Sequence, residues 1–258
     1  MTEKLELSDP AAVFPRAFYG TSNIGGVQRA ILEIANVLNI KAGVFAGDNL
    51  ITFGKSLGFL EDKPLVEAFN AHTKTYQEFG ALWRFATLVW AARTALSVPG
   101  DFVECGCYKG ISARIISDVV GFAGLDRRYF LYDLFEHSAA MPHHPMPEHS
   151  TSLVDQVRAR FADMENVVIT QGRVPDSLSI AAPETIAFMH LDLNNADAEV
   201  GALEVLFDRI SPGGLLVLDD FGWLFYRDQQ RAEVEWMKAR GHHILELPTG
   251  QGLVIKTR

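Results

Sequence analysis

The chain is poor in cysteine. Cys105 and Cys107 are the only two in 258 residues. Thiols this close in sequence cannot form an ordinary structural disulfide, and two ligands are too few for structural zinc. They read as small residues lining a tight turn. Positive charge is also scarce, with 23 Lys and Arg against 32 Asp and Glu and a net charge of −9. That balance argues against nucleic acid as a main partner. No apolar run reaches the length of a membrane span, which argues against a membrane role. The opening Met-Thr-Glu-Lys-Leu-Glu-Leu-Ser lacks the hydrophobic region of a signal peptide, so the expected location is cytoplasmic. Internal repeats and low-complexity tracts are absent. Hydrophobic residues make up 48%, enough for a large core in one α/β domain with an extension or in two small domains.

The most informative stretch runs from Pro99 to Ser112, Pro-Gly-Asp-Phe-Val-Glu-Cys-Gly-Cys-Tyr-Lys-Gly-Ile-Ser. Pro99 and Gly100 break any preceding helix. Asp101 to Cys105 reads as a short buried strand, Gly106 to Gly110 as a turn, and the residues from Ile111 as a helix with apolar spacing. Strand, glycine turn and helix open a nucleotide-binding α/β unit. Gly106 permits a sharp turn, and Gly110 permits close approach of a ligand or of the next helix. Glu104, ahead of the first glycine, would repel phosphates. It suits a cofactor with positive charge and a ribose, such as S-adenosylmethionine.

Ahead of this stretch the reading is helical: Gly26 to Asn39, Pro64 to Ala71 and a long run from Tyr76 to Leu96, with residues 1 to about 22 an irregular arm. Lys41 to Leu60 has no clear pattern. After it, strands at Tyr129–Asp133, Val167–Gln171, Ile186–Leu193 and Leu215–Asp220 alternate with helices at Leu153–Met164, Ala198–Ile210 and Asp228–Arg240. A terminal hairpin pairs His243–Leu247 with Gly252–Lys256. This order implies a mostly parallel sheet with helices on both faces and an antiparallel addition. The division expected is a helical N-terminal extension or lid over 1–97 and an α/β domain over 98–258.

Glu104, Asp133, Asp192, Asp219 and Asp220 all fall at expected strand carboxyl ends, where open α/β sheets bind ligands. Asp133 follows the glycine turn by roughly the interval of a ribose-binding acid, ~20 residues or somewhat more. Asp192, Asp219 and Asp220 come from two strands, and such a group of acids suits a hard divalent cation such as Mg²⁺. The span from His137 to His149 holds four His and three Pro but matches no zinc spacing, and reads as a mobile loop over the cofactor. His242 and His243 are expected at the surface. Lys109 and Arg173 are isolated and receive no role beyond solvation or local pairing.

Several stretches together resemble the class I S-adenosylmethionine-dependent methyltransferases of the macrocin O-methyltransferase (TylF-like) family. They are residues 99–110, Tyr-Asp-Leu-Phe-Glu (132–136), Met-His-Leu-Asp-Leu-Asn (189–194), Ala-Leu-Glu (202–204) and Ser-Pro-Gly-Gly-Leu-Leu-Val-Leu-Asp-Asp-Phe-Gly (211–222). The resemblance implies a Rossmann-like fold, a seven-stranded sheet with an antiparallel C-terminal hairpin, and Mg²⁺-dependent methylation of a sugar hydroxyl in natural-product pathways. It places Glu104 and Gly106 at the methionine end of the cofactor and Asp133 on the ribose. Cys105, Gly110, Ser112, Phe135, Gln171, Gly172 and Asp192 complete the cofactor set. Asp192, Asp219 and Asp220 match its metal-ligand positions. Asn194 departs from the family's second acid, the expected base.

The leading reading is therefore an O-methyltransferase acting on a small-molecule hydroxyl acceptor, a glycoside by expectation, with self-association through the N-terminal helices. Asp192, Asn194 and His190 are the candidate catalytic residues. A carboxamide at 194 has no useful basicity. The proton would go to solvent from a metal-bound hydroxyl, to His190 or to Asp197. Two other readings stay open. One is a binding protein that keeps the cofactor pocket without chemistry. The other is a nicotinamide oxidoreductase, disfavoured by Glu104 and by the lack of Gly-x-Gly-x-x-Gly.

Overall fold

The computed structural model describes residues 12–13, 18–138 and 146–257. The chain divides into two compact units, residues 1–87 and 88–258.

In the first unit, β1 (Ala12–Val13) runs parallel to β2 (Val44–Gly47), which pairs antiparallel with β3 (Leu50–Thr52). Helix α1 (Ile24–Val37) is capped by Asn23, whose side chain accepts the Gly26 amide. Its Ile31 and Ala35 pack on Val44 and Ala46, while Leu32, Val37 and Leu38 are exposed. Helix α2 (Lys63–His72) starts on an Asp62 cap with Pro64 in its first turn. Helices α3 (Tyr76–Gly80) and α4 (Leu82–Ala95) replace the single long helix expected there. Trp90 is half exposed.

The front of the chain is thus not all helical. The patternless Lys41–Leu60 stretch holds the β2–β3 hairpin, closed by Asp48 and Asn49 at φ 53° and 55°. Positive φ at both turn residues is the mark of the tight type I′ hairpin. The strands are too short to display a period. The boundary between the units falls within α4, ahead of the Pro99 break.

The second unit continues with β4 (Asp101–Cys105), α5 (Ile111–Val120), β5 (Tyr129–Asp133), α6 (Leu153–Arg160), β6 (Val167–Gln171) and β7 (Ile186–Leu191). It ends with α7 (Ala196–Leu206), β8 (Ile210–Leu218), α8 (Arg227–Ala239), β9 (Leu245–Glu246) and β10 (Gly252–Ile255). The seven strands lie in the order β6-β5-β4-β7-β8-β10-β9, with β10 antiparallel to both its neighbours. This is the mostly parallel seven-stranded sheet with an antiparallel C-terminal hairpin that the resemblance implies.

Ser211-Pro212-Gly213-Gly214 does not stop α7, as the sequence suggests; it bulges within β8. Ile210 pairs with Ile186 and Leu215 with Phe188, so the intervening residues loop out of register. One face of the sheet packs Phe102, Phe122, Tyr129 and Phe188 as an aromatic cluster. A second cluster sets Met189, Leu191, Leu216 and Leu218 with Leu203, Leu206, Trp236 and Met237 of α7 and α8. His242, expected at the surface, is buried edge-on against Phe207, with ring centroids 4.9 Å apart. Among the described residues, no helix is long and apolar enough to cross a membrane.

Candidate active site

The parallel strands β4, β5, β7 and β8 end together, and their last residues and following turns form one edge. Gly106 turns the chain there at φ 88°, and its amide donates to the Tyr132 carbonyl at 2.8 Å. A Cβ at this position would stand 1.8 Å from the Asp192 carbonyl oxygen. Only glycine lets the β4 turn and the β7 end approach this closely. Gly110, at φ 67°, meets Phe161 and Val157 instead, so the approach it permits is that of α6 and its C-terminal extension rather than of a ligand.

Asp133 closes the turn from β5. Its Oδ2 accepts the Tyr108 amide at 2.7 Å and its Oδ1 the Phe135 amide at 2.6 Å. Burial pushes the carboxyl above its ordinary range, and these two donors pull the other way. Each oxygen keeps a second lone pair for a ligand hydroxyl. Phe135 is buried at φ 62°, and Gln171 reaches back to the Leu134 carbonyl. The Gly172 amide donates to the Asp133 carbonyl. Cys105 and Cys107 are free, buried thiols whose pKa burial raises well above the ordinary value. Such thiols are inert, in keeping with a turn-lining role.

Glu104 is 1% exposed. It accepts from Ser112 Oγ and, at 3.3 Å, from the Tyr129 hydroxyl. His190, paired with it across β4 and β7, lies between two carboxylates. Nδ1 is 3.2 Å from Glu104 and Nε2 is 3.4 Å from Asp219, as ion pairs off the hydrogen-bonding line. Burial alone would lower the imidazole's pKa; Asp219 and Glu104 outweigh it and hold it well above the ordinary value.

Asp192 and Asp219 follow the register partners Leu191 and Leu218. Asn194, at φ 55°, donates from Nδ2 to Asp192 Oδ1 at 3.3 Å, and its own Oδ1 is buried without a donor. Asp219 Oδ1 accepts from Gln251 at 2.8 Å. Asp197 lies in the first turn of α7, but the cap is Asn195. Among the described residues, no group of three or more His, Cys, Asp or Glu side chains is arranged to hold a metal ion. The donor chemistry of the three aspartates suits a hard cation; their arrangement does not fit one.

Tyr108, Glu148 and Gln251, given no role from the sequence, complete the edge, and Lys109 makes the local pairing expected of it. Tyr108 donates its hydroxyl to Glu148, and Lys109 pairs with the same carboxylate at 3.1 Å. His149 packs edge-on to Tyr108 and stacks on His137. The end of the histidine-rich stretch therefore clasps the glycine turn; His143 and His144 lie outside the described residues. Gln251 comes from the terminal hairpin, and its only signal in the sequence is the polar Pro-Thr-Gly-Gln-Gly turn.

A family model described as macrocin O-methyltransferase (TylF) matches residues 84–243. The chain belongs to that family. The chain is 31% identical over 158 residues to 8-demethyl-8-(2,3-dimethoxy-alpha-L-rhamnosyl)-tetracenomycin-C 4'-O-methyltransferase of Streptomyces olivaceus. That match takes in 54% of this chain and 60% of the relative, less than two thirds of the relative's length. Among solved structures, the O-methyltransferase NovP superposes with a TM-score of 0.61 at 19% identity, over 73% of this chain and 84% of NovP. CalS11, a TDP-rhamnose 3'-O-methyltransferase of calicheamicin biosynthesis, superposes at 0.56 and 12% identity, over 93% of this chain and 96% of CalS11. At these identities the structures speak to the fold. The fold of this TylF-family chain is thus shared with these methyltransferases.

Proposed function

We propose that the chain transfers the methyl group of S-adenosylmethionine to a hydroxyl of a sugar, carried by a natural product or by a nucleotide. The observation that carries this reading is the meeting of Gly106 and Asp192 in a TylF-family chain. It sets a cofactor-type turn directly beside a cluster of acids. Asp133 would take the ribose hydroxyls. Glu104, already engaged by Ser112, Tyr129 and His190, would hold the turn in shape and supply negative charge near the sulfonium.

In the transfer, the bond from sulfur to methyl breaks as the bond from methyl to acceptor oxygen forms, and the sulfonium becomes a neutral thioether. The hydroxyl proton needs a base. Asn194 is no base, and His190 is held between two carboxylates that favour its protonated form. Asp192, just past the end of β7, would accept the proton, with Asn194 orienting it. A divalent cation on Asp192, Asp219 and Asp220 would need these side chains to turn into a shared cage, so no step is assigned to it. Calorimetric titration with Mg²⁺ in the presence of cofactor tests that rearrangement.

Calorimetry with S-adenosylmethionine against NAD, followed by methyl-transfer assays on glycosides and nucleotide sugars, tests the proposal. Binding of the first cofactor and methylation of a sugar hydroxyl are expected. Binding of NAD instead would overturn it. Cofactor binding without transfer to any acceptor in the panel would favour the binding-protein reading, which the carboxamide at position 194 keeps open.

A further inference from the structure

The β7–α7 junction contains a polar group that the site above does not use. Glu199, in the first turn of α7, is fully buried. Its Oε1 accepts the Leu193 amide at 2.8 Å, in the peptide that joins Asp192 to Leu193. Its Oε2 is buried without a donor. Glu233 of α8 is equally buried, and neither of its carboxyl oxygens finds a donor in good geometry. A carboxyl buried this way is costly compared with an apolar side chain of similar volume. The one hydrogen bond Glu199 makes goes to the segment that carries Asp192 and Asn194.

That segment needs an anchor. Asn194 adopts a left-handed backbone conformation, which only short polar side chains and glycine tolerate readily. Its amide group leans on Asp192 at 3.3 Å and leaves its own oxygen unsatisfied. The Leu193 amide is where the following helix grips it.

We propose that Glu199 is a positioning residue for methyl transfer: by holding the Leu193 amide it keeps Asp192 and Asn194 side by side at the strand ends. This inference rests on the reading that residues 192–194 form the methyl-transfer edge. Burial, with Glu233 adding to it, raises the pKa of the Glu199 carboxyl well above the ordinary range. The neutral acid accepts the amide through its carbonyl oxygen. A glutamine keeps that acceptor in its Oε1.

The test compares Glu199→Gln with Glu199→Leu in the full chain. The leucine variant should lose about tenfold to a hundredfold in kcat, the scale of a small misplacement of reacting groups. Its affinity for S-adenosylmethionine should stay unchanged, and the glutamine variant should restore kcat to near the parent value. Parent-like kcat in the leucine variant, or a glutamine variant as slow as leucine, would overturn the proposal. Amide hydrogen exchange at Leu193 provides a readout independent of turnover. Slow exchange in the parent and in Glu199→Gln supports the grip; fast exchange in the parent overturns it, even if the leucine variant fails to fold. A parent that methylates nothing while its Leu193 amide is protected would sink the functional reading, and the role in transfer with it, leaving only the grip on Leu193 standing.

Discussion

The two halves of the strand-end edge are built differently. On the β4–β5 side, both oxygens of Glu104 and both of Asp133 already accept hydrogen bonds from Ser112, Tyr129, Tyr108 and Phe135. On the β7–β8 side, Asn194 Oδ1, Glu199 Oε2 and both Glu233 oxygens are buried without donors. An unsatisfied buried polar atom costs about 1–3 kcal/mol, so the second half carries a burden the first does not. A satisfied network is stiff and suits a turn that must be ready for its cofactor. The loaded half is where burial and like charge can tune chemistry, which is where the proposed transfer takes place.

The strongest way to break this contrast is at the point where the halves touch. Gly106→Ala would force a side chain into the Asp192 carbonyl at a positive φ. It should cost about 3 kcal/mol or more and abolish cofactor binding, as read by urea unfolding and calorimetry. Asp133→Ala strips the acceptor from two turn amides as well as the proposed ribose contact. S-adenosylmethionine should bind weaker by ~1–3 kcal/mol in a folded variant, and unchanged affinity would reject the role.

Asn194→Asp sharpens the comparison from the other side by returning the acid that the family resemblance expects. Turnover should rise about tenfold, below the usual range for a general base because a second carboxylate beside Asp192 repels the first. The pH–rate profile should shift with it, and an unaltered profile would remove residue 194 from the proton's path.

Glu233 gives a smaller and purely energetic test. Burial, with Asp220 adding to it, raises its carboxyl pKa to about 8. The folded state then holds a proton that the unfolded chain, with an ordinary glutamate pKa near ~4.3, has released. Stability should therefore fall as pH rises between these two values and level off above 8. Glu233→Gln should flatten that slope and raise Tm at pH 8.5 by a few degrees. A variant with the parent's pH dependence would show that Glu233 is not the group responsible. The smallest effect belongs to the clasp on the satisfied half. Lys109→Met removes a partly exposed ion pair with Glu148, worth ~0.5 kcal/mol or less and weakened by salt. A larger loss would mean that the clasp carries more of the turn than its exposure suggests.

Much of this molecule is local in origin. Asp101–Cys105, Tyr129–Asp133 and Val167–Gln171 are short apolar runs bounded by glycine or acid, and each forms the strand that its pattern predicts. The need for glycine at 106 and the gathering of acids at strand ends follow from the same patterning. Pairing across the sheet and between helices is not written in any local run. Whether Gly110 meets a ligand or Phe161 depends on where α6 lands. That Glu104 is buried against His190 depends on the register of β4 against β7. The Glu199 grip on Leu193 and the Gln251 bond to Asp219 join residues whose spacing obeys no helical or strand period. Backbone preference and hydrophobic period act over a few residues and so can be read along the chain; burial, charge pairing and carbonyl approach depend on distances that exist only once the sheet has closed.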